Sequence, residues 1–474
     1  MSTNRRNFIK NTTLGAGLFF SSIPGISNSS NSEEKYFNKI LSNRPQNFNM
    51  CGYGASKIET VRIGFIGLGM RGSSAPRRIA NIEGVEIKAL CDIQEEKVKN
   101  TQKFLKDYGL PQAAEYFGQE DSWKVLCERP DIDLVYICTP WHLHTPMAVY
   151  AMKQGKHVAV EVPAAKTLEE CWELVETSEN TRKHCMMLEN CCYDFFELLT
   201  LNMTRNGLLG EIVHTEGAYI HNLVDLNFSK RGYYNMWRLK ENYRNGNLYP
   251  THGLGPICQV LNINRGDRME YLTSLSTFDF QMEAKANELA KSDAFYSGFE
   301  NKKFRGNMNT TLIRTNKGKS ILVQHDVTSL RPYSRIHLLS GTKGIAQKWP
   351  EPSRISFGED WISSEEMKKL EDQYTPEIVT KIGEMAKKVG GHGGMDFMMD
   401  WRLIDCLRNG LPLDQDVYDA ALWSAISPLS EMSVKKRSCS IDVVDFTKGN
   451  WKTNKPVSLS LEGGGNTNVK SKIQ

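Results

Sequence analysis

Val61-Arg62-Ile63-Gly64-Phe65-Ile66-Gly67-Leu68-Gly69-Met70-Arg71-Gly72 opens the stretch on which the fold turns, and that stretch closes at Asp92. The first six residues are apolar and β-rich, a glycine-x-glycine-x-x-glycine turn follows, and a first helix is expected over 75–82. A second apolar run, 85–90, leads into Cys91 and Asp92. Strand, turn, helix, strand and acid stand in register, and each part has a mechanical reason. Gly67 allows the tight turn, Gly69 lets a pyrophosphate approach the backbone, and Gly72 lets the helix pack closely on the strand. The helix start offers free N–H groups and the positive end of its dipole to phosphates. Asp92, twenty residues beyond Gly72, is spaced to accept hydrogen bonds from an adenosine ribose, which favours NAD over NADP. A glycine-rich turn without a ligand is the bland alternative, and the full register outweighs it.

The alternation continues outward from there. Helices are expected over 95–108 and 121–128. A buried strand over 133–140 runs into a loop at Trp141-His142-Leu143-His144. A helix over 147–154 leads to a strand over 156–161 that ends in Glu161-Val162-Pro163-Ala164, and a helix over 168–180 leads to a strand over 185–189. Short connections between such units imply a parallel sheet. Ligands sit at the carboxyl ends of its strands, so the loops after Cys138, Val160 and Leu188 are the ones to read for chemistry. Past about residue 195 the pattern becomes strands over 211–220, 268–278, 307–314, 320–328 and 335–340, with helices over 252–261 and 394–409. That is the mark of a mostly antiparallel sheet. Residues 346–390 read as charged surface excursions and 460–474 as a loose tail. The fold class is therefore α/β, an N-terminal Rossmann dinucleotide-binding domain followed by an α+β domain with a large, mostly antiparallel sheet.

Composition excludes several function classes. The chain has 474 residues, enough for two or three domains, with 40% hydrophobic and 24% charged residues and a net charge of +4. That charge is spread along the chain and gives no reason to expect nucleic acid or an anionic membrane as partner. Eleven scattered cysteines have no zinc-site spacing and read as buried thiols. His142 and His144 are two residues apart with no third ligand nearby, so no metal is expected. The N-terminus reads as a targeting segment: Arg5-Arg6 precede Phe8-Ile9-Lys10 and a short apolar run over 12–20. The run is too short to span a bilayer, and the twin arginines resemble a bacterial Tat signal, with a Sec signal as the alternative. The expected organisation is a signal over 1–30, an unpacked linker over 31–58, an NAD-binding domain over 59–194, a substrate domain over 195–455 and a tail over 456–474. The mature chain would be periplasmic and without a membrane span.

A Rossmann half with Thr139-Pro140 and Glu161-Val162-Pro163 at strand ends, followed by a sheet-rich half, resembles the Gfo/Idh/MocA oxidoreductases. Two departures separate it from the superfamily's dehydrogenases. Val162 stands where they carry lysine, and Leu248 stands where they carry aspartate four residues before the histidine. The strings Tyr249-Pro250-Thr251-His252 and Gly393-Gly394-Met395-Asp396 are instead similar to those of glycoside hydrolase family 109, which includes NAD-dependent α-N-acetylgalactosaminidases. The resemblance implies cofactor contacts at Gly67, Gly69, Met70, Arg71, Gly72, Asp92, Thr139, Trp141, His144, Glu161, Val162 and Asn190. It implies substrate contacts at Tyr219, Arg238, Tyr249, Pro250, Thr251, His252 and Tyr333.

The resemblance also implies the chemistry. Ordinary glycosidases set two carboxylates about the scissile bond, and no such pair stands out here. The family route is transient oxidation at C3, loss of the acidified C2 proton, departure of the C1 group, addition of water and re-reduction. It is redox-neutral and retaining. Something must take the C3 hydroxyl proton, and an imidazole, with a reference pKa of about 6.5, suits that task. His252 is the candidate. Tyr249, one turn earlier, would share its face if that turn is helical; Tyr333 would serve at C2 or at the leaving oxygen. Tyr193 is a further possible base, though packing explains it as well. The expected partner is a glycan ending in an N-acetylhexosamine, and homo-oligomers follow only by analogy with the superfamily. The alternative is an NAD-dependent sugar dehydrogenase with net oxidation; a sugar sensor without catalysis would lack these site residues.

Overall fold

The computed structural model describes residues 44–470, so the signal expected over 1–30 lies outside the described residues. Six strands, β1 (Val61–Ile66), β2 (Val85–Asp92), β3 (Ala114–Phe117), β4 (Leu134–Ile137), β5 (His157–Val160) and β6 (Cys185–Met187), form one sheet in the order β3-β2-β1-β4-β5-β6. Every pairing in it is parallel. Helices on both faces bury β4 and β5 completely, which is why their sequences are continuous apolar runs rather than alternations. The strand order reverses between β2 and β4 about β1, and a ligand crevice opens at such a switch point. Gly67 lies there with φ +86°, a conformation that only glycine adopts without strain. A Cβ on Gly72 would stand 1.8 Å from the Gly67 carbonyl oxygen, so the turn closes only with glycine at both positions.

A second sheet holds β7 (Ile212–Ile220), β8 (Met269–Ser276), β9 (Met308–Thr315), β10 (Ser320–Asp326), β11 (Leu338–Gly341), β12 (Ile345–Gln347), β13 (Arg354–Ser356) and β14 (Ile441–Asp442). Its order is β13-β12-β11-β7-β10-β9-β8-β14, antiparallel except where β7 pairs with β10. Burial alternates along β9 and β10, as in a sheet covered on one face. The helix Thr251–Leu261 packs on β7, and the helix Val417–Lys435 packs on β8, on β6 and on the helix Leu168–Thr181. The helix Val417–Lys435 thus joins the two sheets. Among the described residues, no helix is long and apolar enough to cross a membrane. All eleven cysteines are free, and most are buried.

Several expectations need correction. The first helix is shorter, Ala75–Ile79. Trp141-His142-Leu143-His144 is not a loop but the opening turn of the helix Trp141–Lys153, which continues through Pro146. The linker reading fails for 44–58. Met50 is buried, Gln46 donates to the Tyr418 hydroxyl at 2.7 Å, and Asn49 bonds Asn454 at 2.8 Å. The tail reading fails as well. The Trp401 indole donates to the Thr467 carbonyl at 3.0 Å, the Thr467 hydroxyl donates to buried Asp405 at 2.8 Å, and Val469 bridges to Ile82. Both segments are polar in sequence, and they pack through their polar groups. Residues 346–390 contain β12, β13 and the helices Ser364–Tyr374 and Glu377–Val389.

Candidate active site

Two groups of side chains meet between the carboxyl ends of the parallel strands and the helix Thr251–Leu261. The first lies on the cofactor side. Arg71, just past the second glycine of the turn, reaches across to Glu161 at the end of β5, with Nε 3.0 Å from Oε1. Its Nη1 lies 3.2 Å from Asp396 Oδ2. The other Asp396 oxygen accepts from the Asn190 amide at 2.5 Å. His392 Nδ1 stands 2.9 Å from Asp396 and 3.0 Å from Arg71 Nη1, and a single ring nitrogen serves only one of these as a hydrogen bond at a time. Behind them Arg78 donates to Asp400 at 2.8 Å, and the Tyr136 hydroxyl donates to the same carboxylate at 2.9 Å. Burial would raise the Asp396 carboxyl, but His392, Arg71 and Arg78 together hold it well below the usual carboxylate range. Asp92 accepts the Leu68 amide at 2.6 Å and the Gln94 amide at 2.9 Å. It therefore braces the turn and keeps a lone pair on each oxygen.

Other residues on the cofactor list sit deeper. His144 is buried, with Nδ1 2.7 Å from the Pro163 carbonyl and Nε2 2.7 Å from the Thr139 carbonyl. It ties the loop after β4 to the loop after β5, so it acts through those loops. The Thr139 hydroxyl points to Met147 Sδ at 3.6 Å, and Val162 is buried.

The second group is aromatic. The Trp141 ring stacks on Tyr249 at 5.6 Å between centroids and meets Trp237 edge-on at 5.4 Å. Tyr219 lies 4.7 Å from Tyr249, 5.3 Å from His252 and 6.2 Å from Tyr333. The Tyr249 and His252 rings meet edge-on at 4.9 Å, so they do share a face across Pro250. The Arg238 guanidinium sits over Trp141, Tyr233 and Tyr249 and donates to the Tyr233 hydroxyl at 3.2 Å. Burial pushes the phenols of Tyr249, Tyr219 and Tyr333 up, opposed by Arg238 for the first two and by Arg335 for the third. Thr251 is fully buried at the start of the helix. Tyr193 is buried with its hydroxyl on Asp414 at 3.2 Å, a packed residue of the core.

His252 has a partner that the sequence reading missed. Its Nδ1 lies 2.7 and 2.9 Å from the two carboxylate oxygens of Glu189, a side chain with no exposed surface. Glu189 follows β6, in one of the loops whose position marks it for chemistry, whereas the family resemblance implied a role only for its neighbour Asn190. Glu189, Cys191 and His252 bring potential ligand atoms within 4.8 Å of one another. The Glu189 carboxylate is already satisfied by the imidazole and by the Cys191 amide at 3.1 Å, which accounts for the cluster without a metal. Arg78, Trp237, His392 and Asp400 were also missed, as were His221 and Trp349, whose rings meet Tyr333 edge-on at 5.1 and 5.4 Å. Asp396 was quoted within a motif but given no role.

Residues 193–453 match the model of the glycosyl hydrolase 109 C-terminal domain, and 61–189 match that of the oxidoreductase family NAD-binding Rossmann fold. An α-N-acetylgalactosaminidase of Bacteroides fragilis is 52% identical over 415 residues, covering 86% of this chain and 97% of that protein. The chain belongs to glycoside hydrolase family 109. A further member, the family 109 protein 2 of Phocaeicola vulgatus, is 50% identical over 412 residues, 85% of this chain and 98% of its own. Among solved structures, levoglucosan dehydrogenase with NADH and levoglucosan aligns with TM-score 0.60 at 16% identity. The match covers 81% of this chain and all of that one. The aldose-aldose oxidoreductase of Caulobacter crescentus, complexed with glycerol, gives 0.57 at 16% identity, over 81% and 100% of the two chains. These two share the fold.

This family 109 chain is thus a glycoside hydrolase that uses NAD. The glycine turn fits the dinucleotide. A Cβ placed on Gly69 would meet nothing within 4 Å, so the backbone there is open to a pyrophosphate, and Met70 beside it is 55% exposed. Gly67, Gly69, Met70 and Asp92 lie at the glycine turn and the end of β2, at the switch point of the parallel sheet. Arg71, Glu161 and Asn190 line the side that faces the aromatic group.

Proposed function

We propose that this chain removes terminal α-linked N-acetylgalactosamine with retention, by transient oxidation at C3, elimination across C1–C2, water addition and re-reduction. The observation that carries the reading is the meeting of His252, Tyr219, Tyr249 and Tyr333 in one aromatic site beside the carboxyl ends of the dinucleotide sheet. The name of the 52% identical relative supports the choice of sugar. NAD supplies reversible hydride acceptance at the sugar carbon.

Every other task falls to this chain's own residues. The stacked Trp141 and Tyr249 rings hold Arg238 over them, and its guanidinium donates to sugar or acetamido oxygens. His252 takes the C3 hydroxyl proton while the C3 hydride would pass to bound NAD; together these losses leave a ketone that acidifies the C2 proton. Loss of that proton drives out the C1 group. Tyr333 is better suited to donate to the leaving oxygen than to act as the C2 base, because burial keeps its phenol protonated. Arg71, Glu161 and Asp396 hold the two walls of the crevice together by charge.

Purified chain should release p-nitrophenol from p-nitrophenyl α-N-acetylgalactosaminide with no nucleotide added, since the cycle returns its hydride. No phenol, together with NADH accumulating from added NAD+ and free sugar, would make the chain a net dehydrogenase. A redox-neutral cycle needs no external nicotinamide pool, which suits the periplasmic destination read from Arg5-Arg6. Fractionation of cells making an Arg5→Lys, Arg6→Lys chain checks that route, with activity expected to stay inside the cytoplasm.

A further inference from the structure

We infer that Glu189 is the positioning residue of the site: it fixes the tautomer and ring orientation of His252 and stabilises the imidazolium that forms when His252 takes a proton. The inference rests on the reading of His252 as the proton acceptor.

Four observations carry it. First, the residue four before His252 is Leu248, so the helix itself supplies no carboxylate to the imidazole. Glu189 supplies one from a different element, 63 residues away in sequence, with both oxygens within 2.9 Å of Nδ1.

Second, the surroundings keep that carboxylate ionised. Burial would raise it, but the His252 imidazole and the Cys191 amide hold it below the usual carboxylate range. An ionised carboxylate only accepts, so Nδ1 carries the proton and the Nε2 lone pair is the one free to act as base.

Third, the local sequence makes room for this contact. A Cβ on Gly255 would stand 2.7 Å from Glu189 Cγ and 2.8 Å from Cys192 Sγ. The glycine one turn beyond His252 therefore lets the helix lie against the end of β6.

Fourth, the backbone of Glu189 is pinned by Gln415, whose side-chain amide donates to its carbonyl at 3.0 Å. The next residue, Asn190, holds Asp396 on the cofactor side. One dipeptide thus serves both halves of the site.

The groups facing His252 are Glu189 and Cys191 after β6, Tyr219 and His221 on and just after β7, and Tyr249 ahead of its own helix. Glu189 is the only one of these with a full negative charge, so it dominates the stability of the imidazolium. Substituting glutamine removes the charge and lets an amide N–H face Nδ1, which favours the tautomer with its proton on Nε2.

The test compares Glu189→Gln, Glu189→Asp and His252→Ala as holoenzymes. Glu189→Gln should keep KM within about threefold and lose kcat on the order of 100-fold or more, with the acid limb of kcat/KM moving to lower pH. Glu189→Asp should recover part of that loss. In 15N-histidine spectra the resonance missing from His252→Ala should report the Nδ1–H tautomer in the wild type. A Glu189→Gln chain with kcat within a few-fold of wild type, or with a loss confined to KM or NAD content, overturns the inference, as does an Nε2–H tautomer in the wild type. An active His252→Ala overturns the parent reading and this one together. An inactive His252→Ala beside an active Glu189→Gln overturns this one alone.

Discussion

His252→Ala should lower kcat on the order of 1,000-fold while leaving bound NAD near wild type. The imidazole side chain is 14% exposed and looks into a site walled by Tyr219 and Tyr249. It sits on the second residue of a helix that packs against β7 rather than within the parallel sheet. Truncation there removes the group proposed to take the C3 proton and leaves the glycine turn and Asp92 untouched. It also leaves Glu189 buried without its main partner, so the melting temperature should fall as well, and the loss of kcat is read on chain that is folded at the assay temperature. Steady-state kinetics, with NAD content read by absorbance after denaturation, checks the split. A variant that loses NAD along with activity would move His252 from the chemistry to the cofactor.

Asp396→Ala should lower stability by about 3 kcal/mol. The Asp396 side chain is 1% exposed and is shared by Arg71 at 3.2 Å and Arg78 at 3.7 Å, the latter itself 5% exposed. Removing the carboxylate leaves the buried Arg78 with Asp400 alone and the part-exposed Arg71 with Glu161 alone, two like charges with nothing between them. It also frees Asn190 and loosens the reach of Arg71 across the crevice, so NAD should bind more weakly. The pH dependence follows from the lowered carboxyl. A group whose folded-state pKa is depressed adds stability above its unfolded value and loses it as pH falls through the folded value. The gap between wild type and variant should therefore be constant at neutral pH and narrow on acidification below the ordinary value of 3.8. Urea unfolding at several pH values reads this directly.

Legibility in sequence followed the range of the interactions. The turn from Gly67 to Gly72 and the strands on either side are local, so the Rossmann half was open to reading from one stretch. His252 was found because its motif is contiguous. Glu189 and Asp396 were not given roles because their partners lie 63 and 325 residues away, and no local pattern records such a pairing. The helix Val417–Lys435 escaped because nearly every residue of its first four turns is buried, so it has no polar stripe to mark its period. The helix Ser364–Tyr374 escaped for the opposite reason, since none of its residues is buried. Its Ser363-x-x-Glu366 capping box was the available signal. Residues 44–58 and 456–470 read as loose because they are polar, yet their asparagine, glutamine and threonine side chains bond into the body of the protein.

The most direct test of the redox-neutral elimination is hydrolysis of p-nitrophenyl α-N-acetylgalactosaminide in D2O without added nucleotide, with the released sugar analysed by NMR. Deuterium at C2 of the N-acetylgalactosamine is the predicted result, because the C2 proton leaves and is replaced from solvent within each turnover. Phenol release with protium retained at C2 would contradict the account and point to direct displacement at C1.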